Sequence, residues 1–490
     1  MVELLWHGKR RDNIFADTSY AELPLDVVET VDDGLPVAPS PDLADPAAPA
    51  PWRNRLILGD ANLVLPSLRS EFLRRVDLIY VDPPFYTGGD FSVSIAVPPV
   101  DESPGQRATR IDMPAYDDTW SPSPEDRCRG VTSRDKYLQW FADTAVLLRD
   151  LLTDTGLLFV HLDDNVAHEA KVVLDEVFGV GHFRGEIIWQ LGTGAKSRKF
   201  FSIQHNIILV YSAGDAWTYD CDAKIAREPF AEGSLGTHFR RADEDGRRYR
   251  IRTVNGKHYK YYADEGRAIG SVWTDISSMT ANSPIIAEGT GYPTQKPEKL
   301  LERIVGVCSK PNDIVLDCFC GSGTTPVVAG RLGRRWIACD ASRFAVHTTH
   351  KRLLRASTVA PFVVHSLGER REPAEAVSIN RGDFSTRTEI AARTVSVELS
   401  DFLMPPGDFS QQVRPLVRHF SQWVDTWAID WDYRGRPFHN QWRALRTRRA
   451  PRLTLSTSHV YEEPGRYQIG VKVVDIFGSE MTKTISVTVE

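Results

Sequence analysis

The sequence predicts an α/β fold: a mainly parallel sheet with helices on its faces, one inserted segment and a C-terminal all-β sandwich. Three observations carry this reading. Apolar strand-like runs alternate with helix-like stretches over 54–211 and again over 292–368, as in crossover units on a parallel sheet. The alternation stops across 212–291, a break of about eighty residues that suits a small inserted domain. Beyond 368, RTVSVEL, RYQIGVKVVD and KTISVTV alternate apolar and polar residues with period two, so 369–490 reads as a separate β-rich domain.

Residues 1–23 form an N-terminal extension whose apolar start, ELLWHGKRRDNIF, is expected to dock as a strand. Residues 24–53 are rich in Pro, Ala and Asp and read as a flexible linker. NRLILGD (54–60) is the first strand, ending at Asp60, with a helix behind it to about Arg75. VDLIYV (76–81) is the next buried strand. Residues 92–133 show no sustained period and are expected to be a long loop. Helix RDKYLQWFADTAVLLRDLL, strand GLLFVHL, helix NVAHEAKVVLDEVF and strands GEIIWQ and NIILVYS follow. After the insertion come a helix from Pro297 to Cys308, strand DIVLD, a glycine loop, a helix to about Leu332, strand RWIACD, helix 342–355 and strand PFVVHSL.

The 490 residues carry a net charge of −6, which argues against generic, charge-driven nucleic-acid binding. Local charge differs. HFRRADEDGRRYRIRTVNGKHYKYY (238–262) mixes cations with aromatics, and RGRPFHNQWRALRTRRAPR (434–452) has no acid; for each, a solvated face and a nucleic-acid contact both stay open. The six cysteines have no CxxC spacing, so no zinc site is expected. No run is apolar enough to span a membrane and the N-terminus lacks a signal-peptide layout, so a cytoplasmic location is expected.

Two loops carry chemistry. In DCFCGSGTT (317–325) a strand ends at Asp317 and turns through glycines into a helix, where backbone can approach a ligand and free amides face it. A second strand ends at Asp340, where an acid typically takes ribose hydroxyls. The loop has neither the GKS/GKT lysine of NTPases nor GxGxxG spacing; it reads as a site for a nucleoside-bearing cofactor, with a plain strand–helix turn as the bland alternative. In IYVDPPF (79–85), Asp82 follows a strand and the prolines hold the backbone. Asp82 and the Pro83 carbonyl then form two acceptors beside the flat ring of Phe85, with Pro84 fixing the turn. In a doubly wound sheet Asp60, Asp82, Asp317 and Asp340 would open onto one crevice. The pair of loops suits transfer of a methyl group to the exocyclic amine of a flipped base.

The order of these segments resembles the amino-methyltransferases of DNA in their permuted beta arrangement, chiefly the methylating subunits of type III restriction–modification systems and solitary relatives. The resemblance covers about 54–368 and rests on LILGDANLVLPSL, DLIYVDPPFYTGGDF, GLLFVHLDDN, KFFSIQHNIILVYS, and YPTQKPEKLLERIV followed by DIVLDCFCGSGTT. It implies a Rossmann-like sheet with a catalytic half (54–211), a target-recognition segment (212–291) and a cofactor half (292–368). It implies S-adenosyl-L-methionine as cofactor, held by Asp60, Thr294, Lys296, Pro297, Asp317, Phe319, Gly321, Ser322, Gly323, Thr324 and Asp340. Catalysis would fall to Asp82, Pro83, Pro84 and Phe85. Candidate contacts to double-stranded DNA are Lys196, Arg198, Lys199, Arg240, Arg241, Arg247, Arg248, Arg250 and Lys257. The DPPF form favours adenine N6 over cytosine N4. A restriction or other defence-system partner and a homodimer are expected, within restriction–modification or phage defence.

Departures from the family pattern are Phe85 for Tyr, Asn206 for an acid after His205, and cysteines around Phe319. None removes a required group, so an active enzyme is expected. AIDWDYRG and HVYEEPGRYQIGVKVVD resemble a PKD-type immunoglobulin-like domain from about 425, although its Gly-Asp turn is missing. Cytosine-N4 transfer, and a DNA-recognition subunit in which catalysis is secondary, remain as alternatives.

Overall fold

The computed structural model describes residues 2–9, 22–32, 52–98, 109–192, 199–279, 285–356, 360–368, 383–404, 413–447, 450 and 452–490. The largest sheet is built from β1 (Leu25–Val31), β2 (Asn54–Leu58), β3 (Val76–Val81), β4 (Leu152–Leu162), β5 (Phe183–Gln190), β6 (His205–Ser212), β7 (Val272–Trp273), β8 (Ile314–Asp317), β9 (Arg335–Asp340), β10 (Phe362–Leu367) and β11 (Phe438–His439). Their order across the sheet is β7-β5-β6-β4-β3-β8-β9-β2-β10-β1-β11. From β4 to β10 the strands run parallel; β6 and β1 flank them antiparallel.

Central parallel strands are buried on both faces, which is why they read as unbroken apolar runs. Successive residues enter opposite cores: Ile79 and Val81 pack into one, Leu78 and Tyr80 into the other. The first core is closed by helices α1 (Ala61–Phe72), α2 (Ser133–Leu151) and α3 (Ala167–Phe178). The second is closed by α4 (Glu298–Cys308), α5 (Thr324–Arg331) and α6 (Arg343–Leu354). Each face is thus covered by helices from one half of the chain. β8 and β9 lie between β3 and β2, so the two halves interleave rather than sit side by side.

Three expectations are corrected. The linker 24–53 contains β1, which pairs with β10 and β11. Its Glu29 is fully buried against Lys472, a contact invisible locally; residues 33–51 lie outside the described ones. Within the N-terminal extension, residues 2–9 form no strand. They dock on helices instead, with the Leu4 amide and Lys9 on Glu176 and Trp6 on Gln139. The supposed loop 92–133 holds a hairpin, Asp90–Val97 paired with Thr109–Asp117, and the short helix Pro124–Cys128. Among the described residues of 369–490, Asp383–Ala391, Thr394–Leu403 and Ser456–Val460 make one sheet, and Trp442–Leu445, Val424–Asp430, Gly465–Asp475 and Glu480–Val489 the other. The two share one core.

Within 212–291, Arg241–Ala242, Arg248–Val254 and Lys257–Tyr262 form a small antiparallel sheet. Its stem anchors on α4, where Asp275 binds Lys299 and Arg303, and β7 returns the chain to the main sheet. Among the described residues no helix is long and apolar enough to cross a membrane.

Candidate functional site

β3, β8, β9 and β2 are neighbours and parallel, so their C-terminal ends deliver Asp82, Asp317, Asp340 and Asp60 to one edge. All four border a cavity of about 270 Å³. Pro83, Pro84, Phe85, Thr294, Lys296, Phe319, Gly321, Ser322 and Thr324 also border it. Pro297 and Gly323 do not: Pro297 caps α4 and Gly323 caps α5.

Asp82 is the focal group. Lys296, 214 positions away in sequence, donates to its Oδ2, while Oδ1 is buried without a hydrogen-bond partner among the described residues. Lys296 was read as a cofactor residue; here it holds the carboxylate of the DPPF turn. Burial pushes the Asp82 carboxyl above its usual range, and the Lys296 ammonium pulls it part of the way back. The Tyr137 hydroxyl donates to the Pro84 carbonyl at 2.9 Å. No hydrogen bond to the Pro83 carbonyl is present among the described residues. Two acceptors without a donor among the described residues therefore lie beside Phe85.

Phe85 stacks on His161 at 6.1 Å and 24°. His161 is fully buried between the Tyr80 hydroxyl and the Asn206 amide, each 2.8 Å away. Burial, with the Lys296 charge nearby, holds the imidazole well below its usual range, so the ring is neutral, donating at one nitrogen and accepting at the other. This supporting trio escaped the sequence reading. The only local sign was Asn206 in place of an acid.

The turn after Phe85 is fixed by Asp118, which is fully buried. It accepts from the Tyr86 amide (3.1 Å), the Thr87 amide (2.7 Å) and hydroxyl (2.9 Å), and the Trp120 indole (2.8 Å). Trp120 and Trp140 border the cavity and pack 4.8 Å apart. Neither was singled out from sequence.

On the other side, Asp340 accepts from the Gly321 and Ser342 amides, both at 2.9 Å. Asp317 accepts from the Phe319 amide at 3.0 Å and the Thr325 hydroxyl at 2.5 Å. Burial, reinforced by the carboxylates of Asp82 and Asp340, pushes Asp317 up to about 7; burial takes Asp340 to about 6. Gly321 and Gly323 have φ of 49° and 76°, a region that favours glycine. A Cβ on Gly321 would come within 3.1 Å of Tyr292. The loop is thus a bare-backbone cradle with acids beneath it.

Asp317 gives a pH test. In the unfolded chain the group holds its proton only below about pH 4, whereas the folded one keeps it to about 7. Between these values the folded state binds more protons, so this group's contribution to stability falls as pH rises. Asp317→Asn is therefore expected to gain stability relative to wild type as pH rises from about 4 to about 7, measured as paired denaturation curves. A pH-independent difference would reject the shift.

The basic candidates separate. Lys196 and Arg198 lie outside the described residues. Lys199 is exposed on the connection between β5 and β6, whose strand ends lie at the same end of the sheet as the C-terminus of β4. Arg240, Arg241 and Lys257 are exposed on or beside the small sheet. Arg247 is committed to Asp264 and Glu265, and Arg248 to the carbonyls of Phe239 and Leu235. Arg250 lies against Phe230, Phe239 and Tyr261. These three hold the segment together, a role that a count of positive charges does not reveal. In the C-terminal basic stretch, Arg446 is likewise buried, bound to the carbonyls of Val424 and Ser421.

Comparison with known proteins gives the following. The N6_N4_Mtase family, described as DNA methylase, matches residues 76–351. The type II methyltransferase M.EcaI of Enterobacter cloacae is 27% identical over 369 residues, 65% of this chain and 74% of that protein. The Mod subunit of the type III restriction-modification enzyme StyLTI of Salmonella typhimurium is 27% identical over 56% of this chain, and the alignment spans only 49% of the subunit. The solved M1.HpyAVI-SAM complex aligns at 18% identity and a TM-score of 0.36, covering 61% of this chain and 98% of that one. The cytosine-N4-specific PvuII DNA methyltransferase aligns at 18% identity and 0.38, covering 62% of this chain and 88% of that one.

Proposed function

The chain belongs to the N6_N4_Mtase family of DNA methylases, and from that premise we propose that it methylates the exocyclic N6 amine of a flipped adenine in double-stranded DNA. The cofactor is S-adenosyl-L-methionine. The acids and the glycine cradle fit it: Asp317 and Asp340 lie beneath a loop with no Cβ at 321 or 323, and Asp60, Thr294, Lys296, Phe319, Ser322 and Thr324 complete the set proposed to hold it, with Pro297 acting from behind as the cap of α4. When bound, it supplies a methyl group on a positively charged sulfur.

One observation carries the reading: Asp82 Oδ1 is buried and has no hydrogen-bond partner among the described residues. Such an atom calls for a donor, and an exocyclic amine brings two hydrogens, one for Oδ1 and one for the Pro83 carbonyl. Accepting both favours a more tetrahedral nitrogen whose lone pair is free to attack. Phe85, braced from behind by His161, offers its ring to the extruded base. Lys296 holds the Asp82 carboxyl and Tyr137, through the Pro84 carbonyl, steadies the turn that carries Pro83, and the walls of Trp120 and Trp140 exclude water. Asp82 Oδ1 is also the base within reach of the proton that the amine sheds. An aspartate at this turn, as opposed to serine, supports adenine as the target.

The names of the aligned relatives support a place in restriction–modification, with phage defence as its purpose and a restriction subunit as partner. A homodimer in the bacterial cytoplasm is the proposed state. The C-terminal sandwich is read as PKD-like on its sequence signature. Labelled S-adenosyl-L-methionine with mixed-sequence duplex DNA, followed by nucleoside analysis, is expected to place label in N6-methyladenine. Label in N4-methylcytosine would transfer the reading to the other amine; no label, with cofactor bound, would end it.

Gly323→Ala tests the cradle. A Cβ there would sit 2.7 Å from Thr349, itself fully buried, and overpacking of this kind costs about 1–3 kcal/mol. Cofactor affinity by calorimetry is expected to fall about ten-fold or more, with Asp82 and the DNA face untouched.

A further inference from the structure

Both walls of the cavity are tied to the C-terminal sandwich by separate contacts. On the catalytic wall, the hairpin that leaves the Phe85 turn sends Val93, Ile95 and Val97 into the sandwich core, each at most 5% exposed. They alternate along one strand, so one whole face of that strand is sandwich core. Gln422, in the sandwich, donates to the Pro98 carbonyl at 2.5 Å. The hairpin's return strand ends at Asp117, next to Asp118, which grips Tyr86 and Thr87 and orients Trp120. On the cofactor wall, Phe344 at the start of α6 packs against the same sandwich core. It also stacks on Tyr292 at 6.1 Å and 12°, and Tyr292 borders the cavity and covers Gly321.

We infer that the C-terminal sandwich is a positioning element of the methyltransferase site, holding the Phe85–Trp120 wall through the hairpin and the Tyr292–Gly321 wall through Phe344. Ile95, Gln422 and Phe344 are positioning residues: none borders the cavity, and each acts through a residue that does. A domain appended as a spacer needs no such contacts, whereas here about three apolar side chains of the catalytic loop are buried in it. Because small displacements at a reacting centre cost rate steeply, the two connections make different predictions. Loosening the hairpin moves Phe85 and Trp120 and lowers kcat. Loosening Phe344 moves Tyr292 and weakens cofactor binding.

The test uses the full chain with Ile95→Ala, the conservative Ile95→Val, and Phe344→Ala. Hydrogen exchange at the Tyr86 and Thr87 amides needs no activity, so it stands even if the proposed methyl transfer fails; that failure shows separately, as absent product with wild type. Ile95→Ala is expected to speed exchange at both amides and to lower kcat per cofactor-binding site by about ten-fold or more, with cofactor Kd little changed. Ile95→Val is expected to restore both. Phe344→Ala is expected to raise cofactor Kd by about ten-fold while leaving exchange at Tyr86 and Thr87 as in wild type. If Ile95→Ala does not fold, Gln422→Glu replaces it: it keeps the acceptor for the Arg418 and His419 amides and loses the donor to Pro98. Unchanged exchange and unchanged kcat per site in the folded hairpin variants, or a fall only in the folded fraction, would overturn the inference.

Discussion

Asp82→Asn is expected to lower kcat by about 10²–10³-fold, the scale set by losing one preorganised group at a reacting centre. The direction follows from Lys296. Its ammonium contacts Oδ2 and only donates, so the substituted amide must turn its oxygen toward Lys296. The amide nitrogen then occupies the place of the unpartnered Oδ1. A donor faces the amine's hydrogens, and the charge that could take the shed proton is gone. Asp82→Ala leaves the site open to water and removes the counterion of Lys296, so it combines a rate loss with a stability loss. Single-turnover methyl transfer and cofactor calorimetry on both variants separate the two effects. Activity of Asp82→Asn within a few-fold of wild type, with DNA and cofactor bound, would sink the assignment of Asp82 as the amine acceptor.

What the sequence showed, and what it hid, follows the range of the contacts. The parallel strands are buried on both faces, so each announces itself as an apolar run, and an acid just beyond such a run is placed at the sheet edge by chain geometry alone. That logic brings Asp60, Asp82, Asp317 and Asp340 to one cavity. It does not reach Lys296 on Asp82, or the Tyr80–His161–Asn206 trio whose members are 81 and 45 positions apart. The hairpin strand FSVSIAV does alternate with period two, but Pro, Ser and Asp around it obscured the pattern, and its packing partners lie in the C-terminal domain. The arginines of 238–262 show what composition leaves open: Arg247, Arg248 and Arg250 contact carboxylates, carbonyls and rings of their own segment.

Glu29→Ala carries the second large effect, on stability, and it tests the segment least legible from sequence. Glu29 is 1% exposed. Its Oε2 binds Lys472 at 2.5 Å, and its Oε1 takes the Asn440 amide at 2.7 Å and lies 3.3 Å from His350. Burial alone would raise this carboxyl; the Lys472 and His350 charges and the Asn440 hydrogen bond overcome it and hold Glu29 far below the usual carboxylate range. Lys472 is in turn pushed up, above its ordinary value, because the carboxylates of Glu29 and Glu480 outweigh its own burial. Removing Glu29 leaves an ammonium buried with one exposed partner, Glu480, and breaking one side of a buried pair costs about 3–5 kcal/mol. The paired substitution Glu29→Leu with Lys472→Met removes both charges and is expected to recover most of that loss, since apolar replacements of buried pairs are often neutral or stabilising. Denaturant unfolding of the two singles and the double measures the coupling. Losses that simply add would mean that strand Leu25–Val31 contributes through its backbone pairing alone, with the buried charges idle; a large positive coupling makes Glu29 the point at which the N-terminal strand, α6 and the sandwich are locked into one fold.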